Sequence, residues 1–176
     1  LWGAVGTTAQ TLLGDGAAET FDFRTTALTG TNIVIDASWG NDTVYGSAAA
    51  DTISASYGDD RLDGGNGGDT YRVTGNQAGG WSSFNGFDTY ADTGTSGTDR
   101  IVISGKDVDL GLRSFSAASS GIEVIDASAA TGTTRIVGDW SADSIDLRGV
   151  SVLGSGIVVD GAGGNDSLIG ATGNDS

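Results

Sequence analysis

The chain has 176 residues, of which 38% are hydrophobic, so it holds enough apolar material for a core and is too apolar for a disordered acidic tail. Eight basic residues stand against 23 acidic ones, and the net charge of −15 argues against nucleic acid and anionic lipid as partners. Cysteine, histidine, methionine and proline are absent, which excludes disulfides, thiol chemistry and triads built on histidine or cysteine. Paired carboxylates are plentiful, but only Glu19 and Glu123 are glutamates, and we predict that the chain is not an enzyme.

Residues 1–30 are predicted to form irregular β coils at the end of one repeat unit, and residues 31–75 contain a short repeat. Aspartates recur every nine residues, and each is followed two positions later by a core-type residue. The aspartates are Asp42, Asp51, Asp60 and Asp69, and the core-type residues are Val44, Ile53, Leu62 and Tyr71. A glycine lies two residues before three of these aspartates, at Gly40, Gly58 and Gly67, whereas Ala49 interrupts the pattern. The clearest copy, GGNGGDTYR at residues 64–72, begins at Gly64 and fits G-G-x-G-x-D-x-U-x.

Residues 76–156 are predicted to continue the coil irregularly, with an aromatic insert that includes Trp81 and Phe87. Short β-branched runs at residues 100–103, 123–125 and 156–159 predict strands, and 107–122 is the one place where a short helical turn is expected. Weaker echoes of the nine-residue pattern occur around Asp88, Asp99 and Asp143. No apolar run approaches the roughly 18 residues of a membrane helix, so membrane insertion is not expected.

Residues 157–176 hold a second run of the short repeat, in which the pattern positions are Gly164, Asp166, Gly173 and Asp175. Asp166 lies 124 positions after Asp42, and at this offset the first 52 residues align with the last 52 without a gap. We therefore expect a tandem array with a 124-residue period, in which neighbouring units contact one another. Because the chain starts at Leu1 and stops within a copy of the short repeat, we expect it to be a piece of a longer protein.

Aspartates in glycine-rich turns point to a hard cation, because calcium takes six to eight oxygen ligands from carboxylates and backbone carbonyls. Glycine lets the turn backbone direct its carbonyls toward one point, and the aspartate adds charge. We predict several calcium ions, with ligands from Asp42, Asp51, Asp60, Asp69, Asp166, Asp175, Gly40, Gly58, Gly64, Gly67, Gly164 and Gly173. Turn roles are the plainer alternative. Asp36 and Asp160 are as well explained by turns as by ligation, and Asp59 and Asp63 are expected to be solvated.

The short repeat closely resembles the calcium-binding nonapeptide of RTX (repeats-in-toxin, haemolysin-type) proteins, above all at residues 40–72 and 161–175. The resemblance implies an all-β fold, a right-handed parallel β-roll or β-solenoid with calcium-binding turns and few or no helices. Two nonapeptides would make one coil, which stacks Asp42 over Asp60 and Asp51 over Asp69. It also implies one-step export as an unfolded chain and folding in external calcium, and therefore a secreted or bacterial cell-surface location.

Three functions follow as hypotheses. The first is a calcium-binding structural module of an adhesin stalk, extracellular matrix or surface-layer array, with calcium and neighbouring copies as partners and self-association as a possibility. The second is a solenoid that binds ice or glycan, in which Trp39, Trp81 and Trp140 would stack on sugars, although packing in the core or between coils is favoured for them. The third is an accessory domain of a secreted enzyme. Arg24 and Arg148 are expected to form a salt bridge within each unit.

Overall fold

The regular structure is almost entirely β. The computed structural model describes residues 10–28, 33–76 and 86–172, and within these ranges one helical turn, α1 (Ala117–Ser120), accompanies fifteen strands. The strands are β1 (Gln10–Leu13), β2 (Thr20–Asp22), β3 (Ile33–Asp36), β4 (Thr43–Tyr45), β5 (Thr52–Ser54), β6 (Arg61–Asp63), β7 (Thr70–Asn76), β8 (Thr89–Tyr90), β9 (Arg100–Gly111), β10 (Ser114–Ser116), β11 (Val124–Val137), β12 (Ser144–Asp146), β13 (Ser151–Leu153), β14 (Ile157–Asp160) and β15 (Ser167–Ile169).

From β1 to β13, successive strands alternate between two sides of a coil. One side is a sheet in the order β1-β3-β5-β7-β9-β11-β13, with β14 also paired to β11. The other side holds the sheets β2-β4-β6-β8 and β10-β12-β15. Every strand pairing in these sheets is parallel. In each sheet, neighbouring strands are mostly every second strand of the chain, so the chain winds round the two sides as successive coils. The predicted parallel β-roll is therefore confirmed.

The core is the space between the two sides, and the middle residues of most short strands fill it. On one side Ile35, Ile53, Tyr71, Ile101 and Ile125 lie in one register and are at most 1% exposed. On the other side the row is Val44, Leu62 and Tyr90, all buried. In a strand every second side chain points to the same face, so a three-residue strand contributes one core residue. The inward direction predicted for Val44, Ile53, Leu62 and Tyr71 is therefore confirmed.

The middle of the chain departs from short strands. β9 and β11 are 12 and 14 residues long and pair over most of their length, with register shifts between Asp126 and Ala129 and between Thr131 and Thr134. The expected helical turn within 107–122 is α1, where the Ser116 side chain accepts the Ser119 N–H and Gly121 ends the turn at φ 70°. The rest of that segment is mainly strand. The middle of the chain therefore adds a longer pair of strands to the coil, with two register shifts.

The tryptophans were expected to pack in the core or between coils, and the described ones pack between coils. Trp39 is 64% exposed and Trp140 74% exposed, so neither is a core residue. Trp39 does contact the next coil, since its ring lies 5.1 Å from that of Tyr57. Trp140 lies over the backbone of Gly163, where a side-chain carbon would be 2.7 Å from the indole. Trp81 lies outside the described residues. Among the helices of the described ranges, none is long and apolar enough to span a membrane.

Candidate calcium sites

Acidic residues that directly precede a strand are joined to the equivalent residues of the next coil. In what we call the first ladder, the N–H of Glu19 donates to Asp42 Oδ1 (2.7 Å), that of Asp42 to Asp60 Oδ1 (2.7 Å) and that of Asp60 to Asp88 Oδ1 (3.1 Å). These residues directly precede β2, β4, β6 and β8. The structure therefore places Asp42 over Asp60, as the resemblance implies.

A second ladder runs along the other side of the coil, before β5, β7, β9 and β11. Here the N–H of Asp51 donates to Asp69 Oδ1 (2.7 Å), that of Asp69 to Asp99 Oδ1 (2.7 Å) and that of Asp99 to Glu123 Oε2 (2.8 Å). Asp51 thus lies over Asp69. Each bond holds one coil to the next through a carboxyl oxygen, and such a bond is stronger when the carboxyl group is ionised.

A shorter pair continues the pattern near the end of the described chain. The N–H of Asp143, which precedes β12, donates to Asp166 Oδ1 (3.1 Å), and Asp166 precedes β15. Asp166 is half-buried, in contrast to the fully buried Asp42 and Asp60. Asp175 and Gly173, also predicted as ligands, lie outside the described residues. Their role stays a prediction.

Four carboxylate oxygens are buried and have no hydrogen-bond partner among the described residues. They are Oδ2 of Asp42, Asp60 and Asp69 and Oδ1 of Asp143, and we call them the open oxygens. A buried acceptor without a partner is costly and calls for an explanation such as an ion. Carboxylate oxygens are what calcium prefers. The open oxygens therefore fit a calcium ion, which would supply the missing positive charge.

Glycine makes room for these carboxylates. A side-chain carbon added to Gly64 would lie 2.4 Å from Asp69 Oδ2, and one added to Gly138 would lie 2.4 Å from Asp143 Oδ2. At Gly58 a side chain is excluded by the neighbouring coil, because the added carbon would lie 1.6 Å from the carbonyl oxygen of Gly40. Gly58 also has a φ of 131°, which L side chains rarely adopt. Gly40, Gly67 and Gly164 share a positive φ, so these predicted positions are explained by backbone shape and close approach.

Burial and crowding disfavour ionised ladder carboxylates in the absence of a cation. Burial, and then the charges of Asp42 and Asp59, raise the pKa of Asp60 to about 6. Burial, and then the charges of Asp92, Asp51 and Asp99, raise the pKa of Asp69 to about 7. The pKa values of Asp88, Asp99 and Asp143 are also raised, in each case mainly by burial. A bound cation would reverse this effect, because an opposite charge favours the ionised form.

One group of carboxylates extends the second ladder beyond the nine-residue pattern. Asp69, Asp92 and Asp99 each offer an oxygen within 4.8 Å of the others. Asp92 is held by the Tyr71 hydroxyl, which donates to its Oδ2 (2.8 Å) and accepts the N–H of Gly64 (2.7 Å). Nothing in the sequence singles out Asp92, because it follows the short strand β8 outside the nine-residue spacing.

Several further ladder members were missed as ligand candidates. Asp88, Asp99 and Asp143 occur in the sequence only in weaker echoes of the motif. Nothing in the sequence marks Glu19 and Glu123 as ligands except that each precedes a β-rich run. The expected solvation of Asp63 was wrong, whereas the Asp59 side chain is 37% exposed. Asp63 is 6% exposed and accepts the N–H of Thr93 (3.0 Å), and Asp59 forms an ion pair.

Two smaller expectations are resolved by the hydrogen bonds. Asp36 Oδ1 accepts the N–H of Ser38 (3.0 Å) and Asp160 Oδ1 that of Ala162 (2.9 Å), so both have the expected turn role, and ligation by them stays a hypothesis. The expected salt bridges within each unit are present. Arg24 pairs with Asp22 and Arg148 with Asp146, each at 2.6 Å.

Parallel coils with stacked carboxylates, some of whose oxygens are buried and able to bind a cation, are typical of a calcium-binding β-solenoid. The comparison with protein families agrees, because residues 36–71 and 158–176 match the RTX calcium-binding nonapeptide repeat (4 copies). These two stretches of the chain thus carry RTX calcium-binding repeats, and the fold around them is of parallel β-roll type. No curated protein and no solved structure matches the chain.

Proposed function

We propose that this chain is a structural module of a secreted or cell-surface protein and that the coils of its two nonapeptide runs form on calcium binding outside the cell. The observation that carries the proposal is the set of open oxygens, which are buried in stacked coils with no partner among the described residues. The strands alone give such a coil little stability from hydrophobic burial, since most of them contribute one core side chain each. Binding energy would then be folding energy, as in other domains organised by metal. The ligands would include Asp42, Asp51, Asp60 and Asp69.

The test is a calcium titration followed by far-ultraviolet circular dichroism, with magnesium as the control. Magnesium is smaller and gives up its water reluctantly, so it should not replace calcium. We expect a cooperative gain of β signal with calcium alone, and a higher calcium requirement after Asp60→Ala or Asp69→Ala. A complete β spectrum in chelator, unchanged by calcium, would show that the coil is self-sufficient and would overturn the proposal.

The place of the module in a longer protein rests on the 124-residue period. Two pairings recur at this offset in the same register. The pairing of β1 with β3 recurs as the pairing of the end of β11 with β14. The pairing of β2 with β4 recurs as that of β12 with β15. Repetition of both sequence and pairing supports an array of stacked units, as in an adhesin stalk, matrix or surface layer. Proteins carrying one, two and three units should lengthen by a constant step in small-angle X-ray scattering with calcium. Units that scatter as separate, freely jointed bodies would contradict a stacked array.

A glycan-binding role is the second candidate, favoured by one feature of the surface. The exposed Trp140 borders a cleft of about 470 Å³, within the usual size range of ligand sites. Phe87 and Val137 also line it, with Arg135, Asp139 and Asp160. An indole face and charged groups at one cleft suit the apolar face and hydroxyls of a sugar. A glycan array with the calcium-loaded protein and with Trp140→Ala would decide this, since binding must be present and depend on Trp140.

A further inference from the structure

The first ladder is interrupted at Arg113. This residue directly precedes β10, as Asp88 precedes β8 and Asp143 precedes β12. β10 lies against β8 and pairs with β12, so Arg113 belongs to the same row of turns. Its carbonyl accepts the N–H of Ser144 (3.0 Å), just as the carbonyl of Asp143 accepts the N–H of Ser167 (2.8 Å). A cation therefore stands where the ladder would have a carboxylate.

The hydrogen bonding of the preceding coil changes accordingly. The N–H groups of Glu19, Asp42 and Asp60 each donate to a carboxylate of the following coil. The N–H of Asp88 instead donates to the carbonyl of Gly111, at 3.2 Å. The guanidinium does not replace a carboxylate as an acceptor, since arginine has donors only. What it can replace is the cation.

Two carboxylates on either side of Arg113 are paired with its guanidinium. Asp59 accepts the N–H of Phe87 on Oδ1 (2.9 Å) and the guanidinium of Arg113 on Oδ2 (2.8 Å). Asp139 accepts the N–H of Ser141 on Oδ1 (2.6 Å) and Arg113 Nε on Oδ2 (2.5 Å). The adjacent Asp60 also accepts a backbone N–H on Oδ1, but its Oδ2 is an open oxygen. In both Asp59 and Asp60, Oδ1 accepts a backbone N–H. Oδ2 is paired with a guanidinium in Asp59 and has no partner among the described residues in Asp60.

The guanidinium is also fixed from a third direction, because its central carbon lies 4.9 Å from the centre of the Phe87 ring. Cations over an aromatic face are attracted by its negative charge density. Arg113 joins the turn of Asp59, in the first nonapeptide run, to the turn of Asp139, ahead of the second. Unlike calcium, a side-chain guanidinium neither dissociates nor loses its charge in proteins.

We propose that the guanidinium of Arg113 takes the place of a calcium ion in the first ladder, and so fixes how many calcium ions the module binds. Replacing it should open one further calcium position between the turns of Asp59 and Asp139. This inference rests on the proposed calcium-dependent function. Arg113 divides the ladder into one segment from Glu19 to Asp88 and a separate segment that begins at Asp143. The link between the two segments would need no calcium.

The experiment counts bound calcium by native mass spectrometry and isothermal titration on the full chain. Arg113→Asp should bind one calcium ion more than the unmodified protein, because it removes the cation and adds a carboxylate. Arg113→Gln should gain the same ion with weaker affinity, since the amide brings one neutral oxygen. Arg113→Lys should gain none, because a cation is retained. Arg148→Asp is the matched control, with the same change of charge at an exposed pair outside the ladders.

The outcomes separate the two proposals. If the unmodified protein binds no calcium, the proposed function fails. If it binds calcium but folded Arg113→Asp binds no additional ion, or if Arg148→Asp gains one equally, only the role of Arg113 is overturned. Should Arg113→Asp fail to fold in calcium, the comparison of Arg113→Gln with Arg113→Lys decides, since equal calcium counts for these two would refute the inference.

Discussion

Neutralising one ladder carboxylate is expected to change stability in opposite directions with and without calcium. Asp69 is fully buried, and its pKa is raised to about 7 from an ordinary value of 3.8. Since each pKa unit corresponds to about 1.4 kcal/mol, ionised Asp69 costs the calcium-free fold up to about 4 kcal/mol above pH 7. Asp69→Asn removes this cost and keeps an oxygen to accept the N–H of Asp51. In chelator at pH 8 we therefore expect the variant to be more folded, by about 2–4 kcal/mol.

With calcium the same substitution should be destabilising, because it removes one charged ligand and a site that binds only the folded state. The assay is thermal and urea unfolding followed by circular dichroism, in chelator and in millimolar calcium, at pH 8. Asp22→Asn is the control, since Asp22 is exposed, lies outside both ladders and pairs with Arg24. Its effect should have the same sign in both conditions. An Asp69→Asn protein that is less stable in chelator as well would refute the link between burial, charge and calcium.

Three further predictions follow from the same contacts. Because the folded-state pKa values of Asp60 and Asp69 lie near 6 and 7, above the unfolded 3.8, their contribution to the stability of the calcium-free fold should be greatest at and below about pH 4 and should be lost as pH rises through 6 to 7. Calcium binding at pH 6–7 should then release protons, which titrations in buffers of different ionisation enthalpy detect. Gly64→Ala should cost about 1–3 kcal/mol and weaken calcium binding, because the added carbon would lie 2.4 Å from Asp69 Oδ2, whereas Gly16→Ala, with nothing within 4 Å, should cost nothing in urea unfolding. Tyr71→Phe should destabilise the calcium-bound protein by about 1–3 kcal/mol in the same assay, because the buried N–H of Gly64 loses its acceptor.

The sequence predicted the coil best where a single period governs both sides of it. Asp42 and Asp60, and likewise Asp51 and Asp69, are 18 residues apart in sequence and bonded in the structure. A strict nine-residue period alternates between the two sides, so the inward residues and the stacking could both be read from spacing. The strand period of two then places a residue such as Ile53 in the core.

Beyond residue 72 the ladder persists although the period is lost. The bonded partners lie 28 residues apart from Asp60 to Asp88, 30 from Asp69 to Asp99 and 24 from Asp99 to Glu123. A ladder bond needs only a carboxylate just before a strand, whereas the length of the connecting turns outside the coil is free to vary. A search for fixed spacing therefore misses Asp99 and Glu123 as ladder members, and Asp92 stays hidden because it lies in one of those longer turns.

The two oxygens of a ladder carboxylate explain why coil stacking and calcium binding are a single event. Oδ1 of Asp60 accepts the N–H of Asp42 and holds two coils together, which brings like charges to about the 4.8 Å spacing of neighbouring strands. At that distance they repel by roughly 3–4 kcal/mol at an effective dielectric of 20. Oδ2 is left open, so the contact that stacks the coils also creates the place for a cation. At Arg113 the chain supplies that cation itself, and there both neighbouring carboxylates have their second oxygen paired. The calcium requirement of each stretch of coil should therefore follow its open oxygens rather than its number of nonapeptides.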